Sequence, residues 1–345
     1  MTSADTNAAS DASRGAADPR IRIVLNPGSG HQGNPAYVDD VRAFAGAHSD
    51  RVELLELGEG QSPTDLARRA LDEGVGTVVA AGGDGTIAGV ATALHGSDVR
   101  FGILPMGTFN FFARGLGIPL DVGLALELLL DGPTRPVTVA EVNGALFLNN
   151  ASLGVYPAIL ERRESVYKRW GRSRLAAYWS VLLTLAGFDR ARRVEVTVDG
   201  VPRRRKTPLI FVANSDYQLD EYGLDGADYI RDGHFAVFLA PDVGRWGLLK
   251  YAVRLLGRSM TRHRDFELLH GREIVVGGTG RRLVARDGER EKMQAPIRFS
   301  LLDNALQVVV PPEALDGPRA VGEGGDPGSV DPDAPQGRAA TGGAA

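Results

Sequence analysis

The sequence predicts a doubly wound, Rossmann-like α/β nucleotide domain followed by an antiparallel β-sandwich. Short apolar runs that end in glycine-rich loops alternate with helical stretches as far as about Pro136. Beyond that point β-branched and alternating runs, separated by hairpin signals, replace the βα rhythm. The 345 residues, 43% of them hydrophobic, suffice for two cores. The expected division is an α/β domain over 20–136 and a β domain over 137–312. Tails over 1–19 and 313–345 are rich in Ala, Gly, Pro, Asp and Ser, a composition that predicts disorder.

The first strand, 21–25, leads into Asn26-Pro27-Gly28-Ser29-Gly30-His31-Gln32-Gly33, which matches G-x-G-x-x-G. Glu53 and Glu56 lie near the spacing of a ribose-binding acid, so a dinucleotide fingerprint has to be weighed. It is the weaker reading. Asn34-Pro35 reads as N-cap and first helical residue, which starts the helix after the last glycine rather than within the glycine run. Ser29 and Gly30 can still grip a phosphate. Helices are expected over 36–47, 66–71 and 122–130.

The second loop, Gly82-Gly83-Asp84-Gly85-Thr86, follows a buried strand over 77–81 and precedes a helix over 87–94. It therefore sits at the carboxyl end of a strand, where open α/β sheets hold ligands. Its glycines let backbone N–H groups approach a phosphate, and the helix start adds positive dipole character. A carboxylate in such a place needs a reason: Asp84 either holds Mg²⁺ or receives a proton from an attacking hydroxyl. A plain tight turn is the alternative. The third loop, Pro105-Met106-Gly107-Thr108-Phe109-Asn110, follows a strand over 101–104. Gly107 and Thr108 offer an N–H and a hydroxyl, and Asn110 is expected to cap the helix carrying Phe111, Phe112, Ala113 and Arg114. Two such loops on consecutive strands favour one anion site over two unrelated turns.

Strands of the β domain are expected over 137–142, 145–148, 194–198 with an Asp199-Gly200 turn, 209–213, 235–239, 274–276, 297–301 and 306–310. The net charge is only −4, but cations cluster. Arg162, Arg163, Lys168, Arg169, Arg172 and Arg174 crowd one helical stretch, and Arg203-Arg204-Arg205-Lys206 follow a hairpin turn. A helix over 245–260 puts Lys250, Arg254 and Arg258 on one face, with Trp246, Leu249, Val253 and Leu256 on another. That pattern suits an interfacial helix on anionic headgroups, or one packed on its own sandwich. The apolar run over 176–188 reads as a wall for an acyl chain or as core. Nucleic acid is not an expected partner, because the arginines are not interleaved with aromatics in a known module and the chain is acidic. Zero cysteines exclude disulfides and thiolate metal sites, and the six histidines lack ligand spacing. Without an apolar h-region or a spanning run, a cytoplasmic protein that touches membranes peripherally is expected.

Asn26-Pro27-x-Ser29-Gly30, then Gly82-Gly83-Asp84-Gly85-Thr86, then Pro105-x-Gly107-Thr108-x-Asn110-x-x-Ala113-Arg114 together resemble the catalytic domain of diacylglycerol and sphingosine kinases. The bacterial soluble lipid kinases are nearest in size. Later marks are Asn149-Asn150-Ala151-Ser152-Leu153-Gly154, Val212-Ala213-Asn214, Asp232-Gly233 and Asp287-Gly288-Glu289. Gly-Gly-Asp-Gly alone is shared with NAD kinases and phosphofructokinases.

The resemblance implies an ATP- and Mg²⁺-dependent kinase acting on the hydroxyl of a membrane lipid, diacylglycerol or a sphingoid or ceramide-like alcohol, with its site between the domains. The expected ATP-binding residues are Asn26, Pro27, Ser29, Gly30, Gly82, Gly83, Asp84, Gly85, Thr86, Gly107, Thr108 and Asn110. Similarity to the bacterial enzymes makes Glu289 the base and gives Asp84 to metal and nucleotide; similarity to sphingosine kinases makes Asp84 the base. No Walker A lysine is present. Bacterial members often bind a structural Mg²⁺ through a paired Asp-Asp-Gly, where this chain has Arg231 before Asp232-Gly233. Asp232 and the Tyr229 and His234 carbonyls are the remaining candidate ligands. The family can return its last strands to the first domain, which the sequence does not decide. An NAD kinase and a non-catalytic lipid- or nucleotide-binding module are the rival readings.

Overall fold

The computed structural model describes residues 18–29, 35–154, 191–242 and 266–315. Gly30, the cations over 162–174, the apolar run over 176–188, the helix expected over 245–260 and most of both tails lie outside the described residues.

The α/β part runs β1 (Asp18–Leu25), α1 (Pro35–Ala47), β2 (Val52–Glu56), α2 (Pro63–Asp72), β3 (Val75–Gly82), α3 (Asp84–Leu94), β4 (Arg100–Pro105), α4 (Phe111–Gly115) and α5 (Val122–Asp131). The strands pair in parallel in the order β2-β1-β3-β4. Alternate side chains of one strand leave opposite faces of the sheet, so each face needs its own cover. Ile23, Leu25, Val79 and Ala81 pack with Val38 and Val41 of α1 and Leu126 and Leu129 of α5. Val24, Val78 and Ala80 pack the other way, against Leu66 of α2 and Ile87 and Val90 of α3. Helix starts are set locally. Ser62 accepts the Asp65 N–H ahead of Pro63, and Asp121 accepts the Leu124 N–H.

The β part comprises β5 (Thr134–Val142), β6 (Ala145–Phe147), β7 (Asn150–Gly154), β8 (Arg192–Val198), β9 (Val201–Thr207), β10 (Leu209–Ala213), α6 (Asp216–Glu221), α7 (Ala227–Arg231), β11 (Phe235–Leu239), β12 (Glu267–Gly271), β13 (Glu273–Val276), β14 (Arg281–Arg286), β15 (Glu289–Gln294) and β16 (Ile297–Val309). One sheet has the order β12-β11-β10-β7-β14-β15. Its inner face meets β5, β8, β13 and β16 across a core of Phe147, Phe235, Phe299, Val212, Val237 and Ile274. The Phe147 ring lies 6.2 Å from Phe235 and 6.3 Å, edge-on, from Phe299.

Residues 297–301 and 306–310, expected as two strands, are halves of β16. Its register on β5 shifts between Leu302 and Leu306, and Asn304 takes a left-handed φ of 53° there. The early half pairs antiparallel with β13, and the late half pairs in parallel with β4 through Gln307 and Val308. The α/β sheet thus continues into the sandwich as one sheet.

The Arg203-Arg204-Arg205-Lys206 run forms the edge strand β9. Arg204 pairs with Glu195 at 3.2 Å, Arg205 with Glu267 at 2.7 Å, and Lys206 with Asp242. Charge on an exposed edge discourages a second chain from adding to the ladder.

Candidate functional site

The three glycine loops end the adjacent strands β1, β3 and β4, and the structure ties them together. Asn26 sits at the start of its loop because its N–H donates to the Ala81 carbonyl at 2.9 Å. Its side chain turns the loop back, accepting the Gly28 N–H at 3.1 Å and donating to the Thr86 hydroxyl at 3.1 Å. The Ser29 hydroxyl reaches the same Thr86 oxygen at 3.4 Å, while Pro27 and Gly28 form the turn between them. Thr86 is buried, so it serves as the hub on which the first loop rests.

The second and third loops meet backbone to backbone. Met106 N–H donates to the Gly82 carbonyl at 2.9 Å. A Cβ on Gly107 would lie 2.7 Å from the Gly83 Cα, and one on Gly82 would lie 2.5 Å from the Thr86 hydroxyl. Neither position accepts a side chain without moving its neighbour, which explains two of the glycines. Gly85 has open space around it and, with Thr108, is exposed on the same group of loops.

Asp84 is the joint. Its Oδ2 accepts the Asn110 N–H at 3.0 Å and its Oδ1 the Phe111 N–H at 3.0 Å. These are orphan donors at the start of α4, so Asp84 supplies the cap that local reading gave to Asn110. Asn110 instead adopts a left-handed φ of 52° and closes its own turn, accepting from Gly107 N–H and donating to Gly107 O, both at 2.9 Å. Burial raises the Asp84 pKa from its ordinary value, opposed by the amides and by the charge of Arg114.

A second carboxylate belongs to the same place. Asp287 and Gly288 form the two-residue turn between β14 and β15, with left-handed φ values of 44° and 87°. The Asp287 carboxylate accepts N–H groups from Leu148 at 2.7 Å, Asn149 at 2.8 Å and Asn150 at 3.2 Å. Burial raises its pKa against the pull of these amides, and the charge of Asp84 raises it further. Glu289 is exposed at the start of β15, opposite Arg286. The resemblance singles out Glu289 in the Asp-Gly-Glu triplet as one candidate base and gives no work to Asp287. The Asp-Gly turn was a visible signal, but its amide partners were not.

Contacts from the β domain reach the third loop through α6. Arg114 donates from Nε to the Phe109 carbonyl and from Nη1 to the Tyr217 hydroxyl, each at 3.1 Å, with its guanidinium 5.8 Å from the Tyr217 ring centroid. Gln218 accepts from the Asn150 side chain at 2.9 Å.

Tyr229, Asp232 and His234, the expected metal ligands, lie at the end of α7 and just beyond it. Asp232 caps α7 with an exposed side chain, and the Tyr229 carbonyl accepts the His234 N–H at 2.9 Å. The Tyr229 ring stacks on His270, 4.0 Å between centroids. The cation here is Arg231, which pairs with Asp216 at 3.1 Å, with Asp220, and with Asp228 at 2.9 Å. Among the described residues no three His, Asp or Glu side chains gather as a metal site.

Comparison with known proteins agrees with this layout. A model of the diacylglycerol kinase catalytic domain matches residues 20–142, and a model described as the YegS C-terminal NAD kinase beta sandwich-like domain matches residues 153–310. The chain joins a diacylglycerol kinase catalytic domain to a YegS C-terminal-like domain. A Bacillus subtilis protein named diacylglycerol kinase is 28% identical over 303 residues, covering 86% of this chain and 98% of the relative. A Pseudomonas aeruginosa protein named probable lipid kinase YegS-like is 43% identical over 140 residues, covering 39% of this chain and 44% of the relative, less than half its length. The crystal structure of a putative diacylglycerol kinase from Bacillus anthracis str. Sterne shares the fold, with a TM-score of 0.63 at 20% identity over 86% of this chain and 98% of the other. The three loops, Asp84 and Asp287 thus lie where the two matched domains meet.

Proposed function

We propose that the chain transfers the terminal phosphoryl group of ATP to the hydroxyl of a membrane lipid, diacylglycerol or a sphingoid or ceramide-like alcohol. The observation that carries this is the joining of the three strand-end loops around Thr86 and Asp84. Phosphoryl transfer asks the protein mainly for positioning and for charge stabilisation. Backbone N–H groups of Gly83 and Gly85, with the hydroxyls of Thr108 and Ser29, are the proposed phosphate donors, and Gly107, whose N–H is held by Asn110, brings the third loop against the second. Asn26, Pro27 and Asn110 shape those loops.

Mg²⁺ in a nucleotide site is commonly held by one or two carboxylates plus phosphate oxygens. Each Asp84 oxygen accepts one amide hydrogen and so keeps a lone pair, which fits that donor set. When bound, the ion would neutralise charge on the nucleotide phosphates. Glu289, presented by the turn that Asp287 fastens to the Leu148–Asn150 amides, is the proposed acceptor of the lipid hydroxyl proton. Among the described residues no helix is long and apolar enough to cross a membrane. The lipid is proposed to be met at an anionic membrane surface, with the chain bound peripherally.

The test is γ-labelled ATP and Mg²⁺ with vesicles containing diacylglycerol or a sphingoid alcohol, and with NAD in a parallel reaction. Labelled lipid is expected. Label on NAD instead would make this an NAD kinase, a reading favoured by the description of the sandwich model. ATP binding with no transfer would leave a binding module. Glu289→Gln is expected to lower kcat by roughly 10²–10⁴ with ATP affinity and melting temperature unchanged. A Glu289→Gln enzyme of parental kcat would move proton acceptance to Asp84.

A further inference from the structure

We propose that Arg231 is a positioning residue for the nucleotide: a fixed cation that holds α6 so that Tyr217 braces the third loop through Arg114. The proposal rests on the kinase reading.

Asp216 and Asp220 lie one turn apart on α6, with side chains only 17% and 29% exposed. Like charges at that spacing repel, and withdrawing them from water adds to the cost. The guanidinium of Arg231, reaching over from α7, bridges both. Asp228, its third partner, is 93% exposed and adds little. Burial works against the charge on Arg231, but Asp220, Asp216 and Asp228 together raise its pKa from the ordinary arginine value.

Tyr217 follows Asp216 directly, so the face of α6 that Arg231 fixes also sets where the Tyr217 hydroxyl stands. That hydroxyl accepts from Arg114 Nη1, and Arg114 Nε holds the Phe109 carbonyl in the loop of Gly107 and Thr108. Asp84 then clamps the end of the same loop. The contacts form one continuous path from Arg231 to the proposed phosphate donors. A cavity of about 310 Å³ beside this path, lined by Phe111, Phe112, Arg135, Asp216 and Arg231, keeps the two domains from packing solidly there. Leu219 anchors one side of α6 in the core and Gln218 is bonded to Asn150, while on the cavity side its alignment rests on these polar contacts.

A contiguous path becomes a coupling only when a double-mutant cycle says so. The affinity of the full chain for ATP with Mg²⁺ is measured by calorimetry for the parent, Arg231→Ala, Tyr217→Phe and the double variant. Each single change is expected to weaken binding roughly fivefold, and the double variant no more than the weaker single one. Losses that multiply overturn the relay. So does an Arg231→Ala protein that melts lower yet binds ATP as the parent does. Should Arg231→Ala fail to fold, Arg231→Lys and Asp216→Asn enter the same cycle. Without nucleotide, Mg²⁺ is expected to raise the melting temperature of Arg231→Ala more than that of the parent, since it can stand between the uncovered carboxylates; equal responses overturn the fixed-cation role. A parent that binds no ATP overturns the kinase reading as well, whereas a binding parent with independent losses overturns this proposal alone.

Discussion

Two pairs of withdrawn aspartates stand at the domain junction, and their charges are met in opposite ways. Asp84 and Asp287 are surrounded by backbone N–H groups, those of Asn110 and Phe111 at the first and of Leu148, Asn149 and Asn150 at the second. Asp216 and Asp220 share a guanidinium. Amides stabilise a carboxylate by partial charges and leave its net charge in place, so the first pair still attracts a cation and still resists ionisation. A guanidinium cancels the charge, so the second pair is electrically finished. The same residue type thus serves an open electrostatic site in one region and a closed mechanical joint in the other.

The comparison is easiest to break at Asp84. Asp84→Asn would place an NH₂ against one of two backbone N–H donors, and labelled-lipid assays should show transfer falling roughly hundredfold or more; unchanged turnover would leave the first pair with no more than a structural role. Removing one charge from the second pair should act on stability. Asp220→Asn should cost about 1.5–3 kcal/mol in denaturant unfolding, the range for hydrogen bonds to charged groups. If instead it left stability alone, Arg231 would not be joining two helices.

Acidity sharpens the contrast further. Because the native pKa values of Asp84 and Asp287 lie above the ordinary carboxylate value, the folded chain holds more protons than the unfolded one between those limits. Their contribution to stability is therefore fullest below the ordinary value and is lost as pH rises through the raised ones. Melting temperatures across that range should show Asp84→Asn gaining on the parent as pH increases; a constant gap would deny that burial strains the ionised form. The smallest effect is expected at Asp228→Asn, where solvent already screens the pair and melting should match the parent within scatter.

Much of this was legible from residue order. Apolar runs ending in glycine located β1, β3 and β4, and their shared sheet made one site of three loops. Side-chain partners were harder. Asn110 looked like a cap because it is the nearest suitable side chain, but Asp84 of the preceding loop reached those amides first. Asp287 announced a turn through Asp-Gly, whereas its amide partners lie on a strand connection far back in the chain. Strands β9, β14 and β15 carry Arg, Lys and Glu at many positions, and were not expected as strands. Strands of this kind are held largely by ladder hydrogen bonds, which leave little trace in hydrophobic alternation. The positive charge of Arg231 was visible beside Asp232, while the helix that it grips was not.

The bent strand β16 has a consequence for biosynthesis. Until Ile297 and the residues after it leave the ribosome, β4 has an open side, and the parallel sheet beneath the three glycine loops is missing a neighbour. The first half of this polypeptide must wait, with an unpaired margin able to recruit strangers, for nearly the whole of the second. Fragments cut at the apparent border between the halves should aggregate rather than work, and co-expression of the two pieces would be the gentler way to separate them.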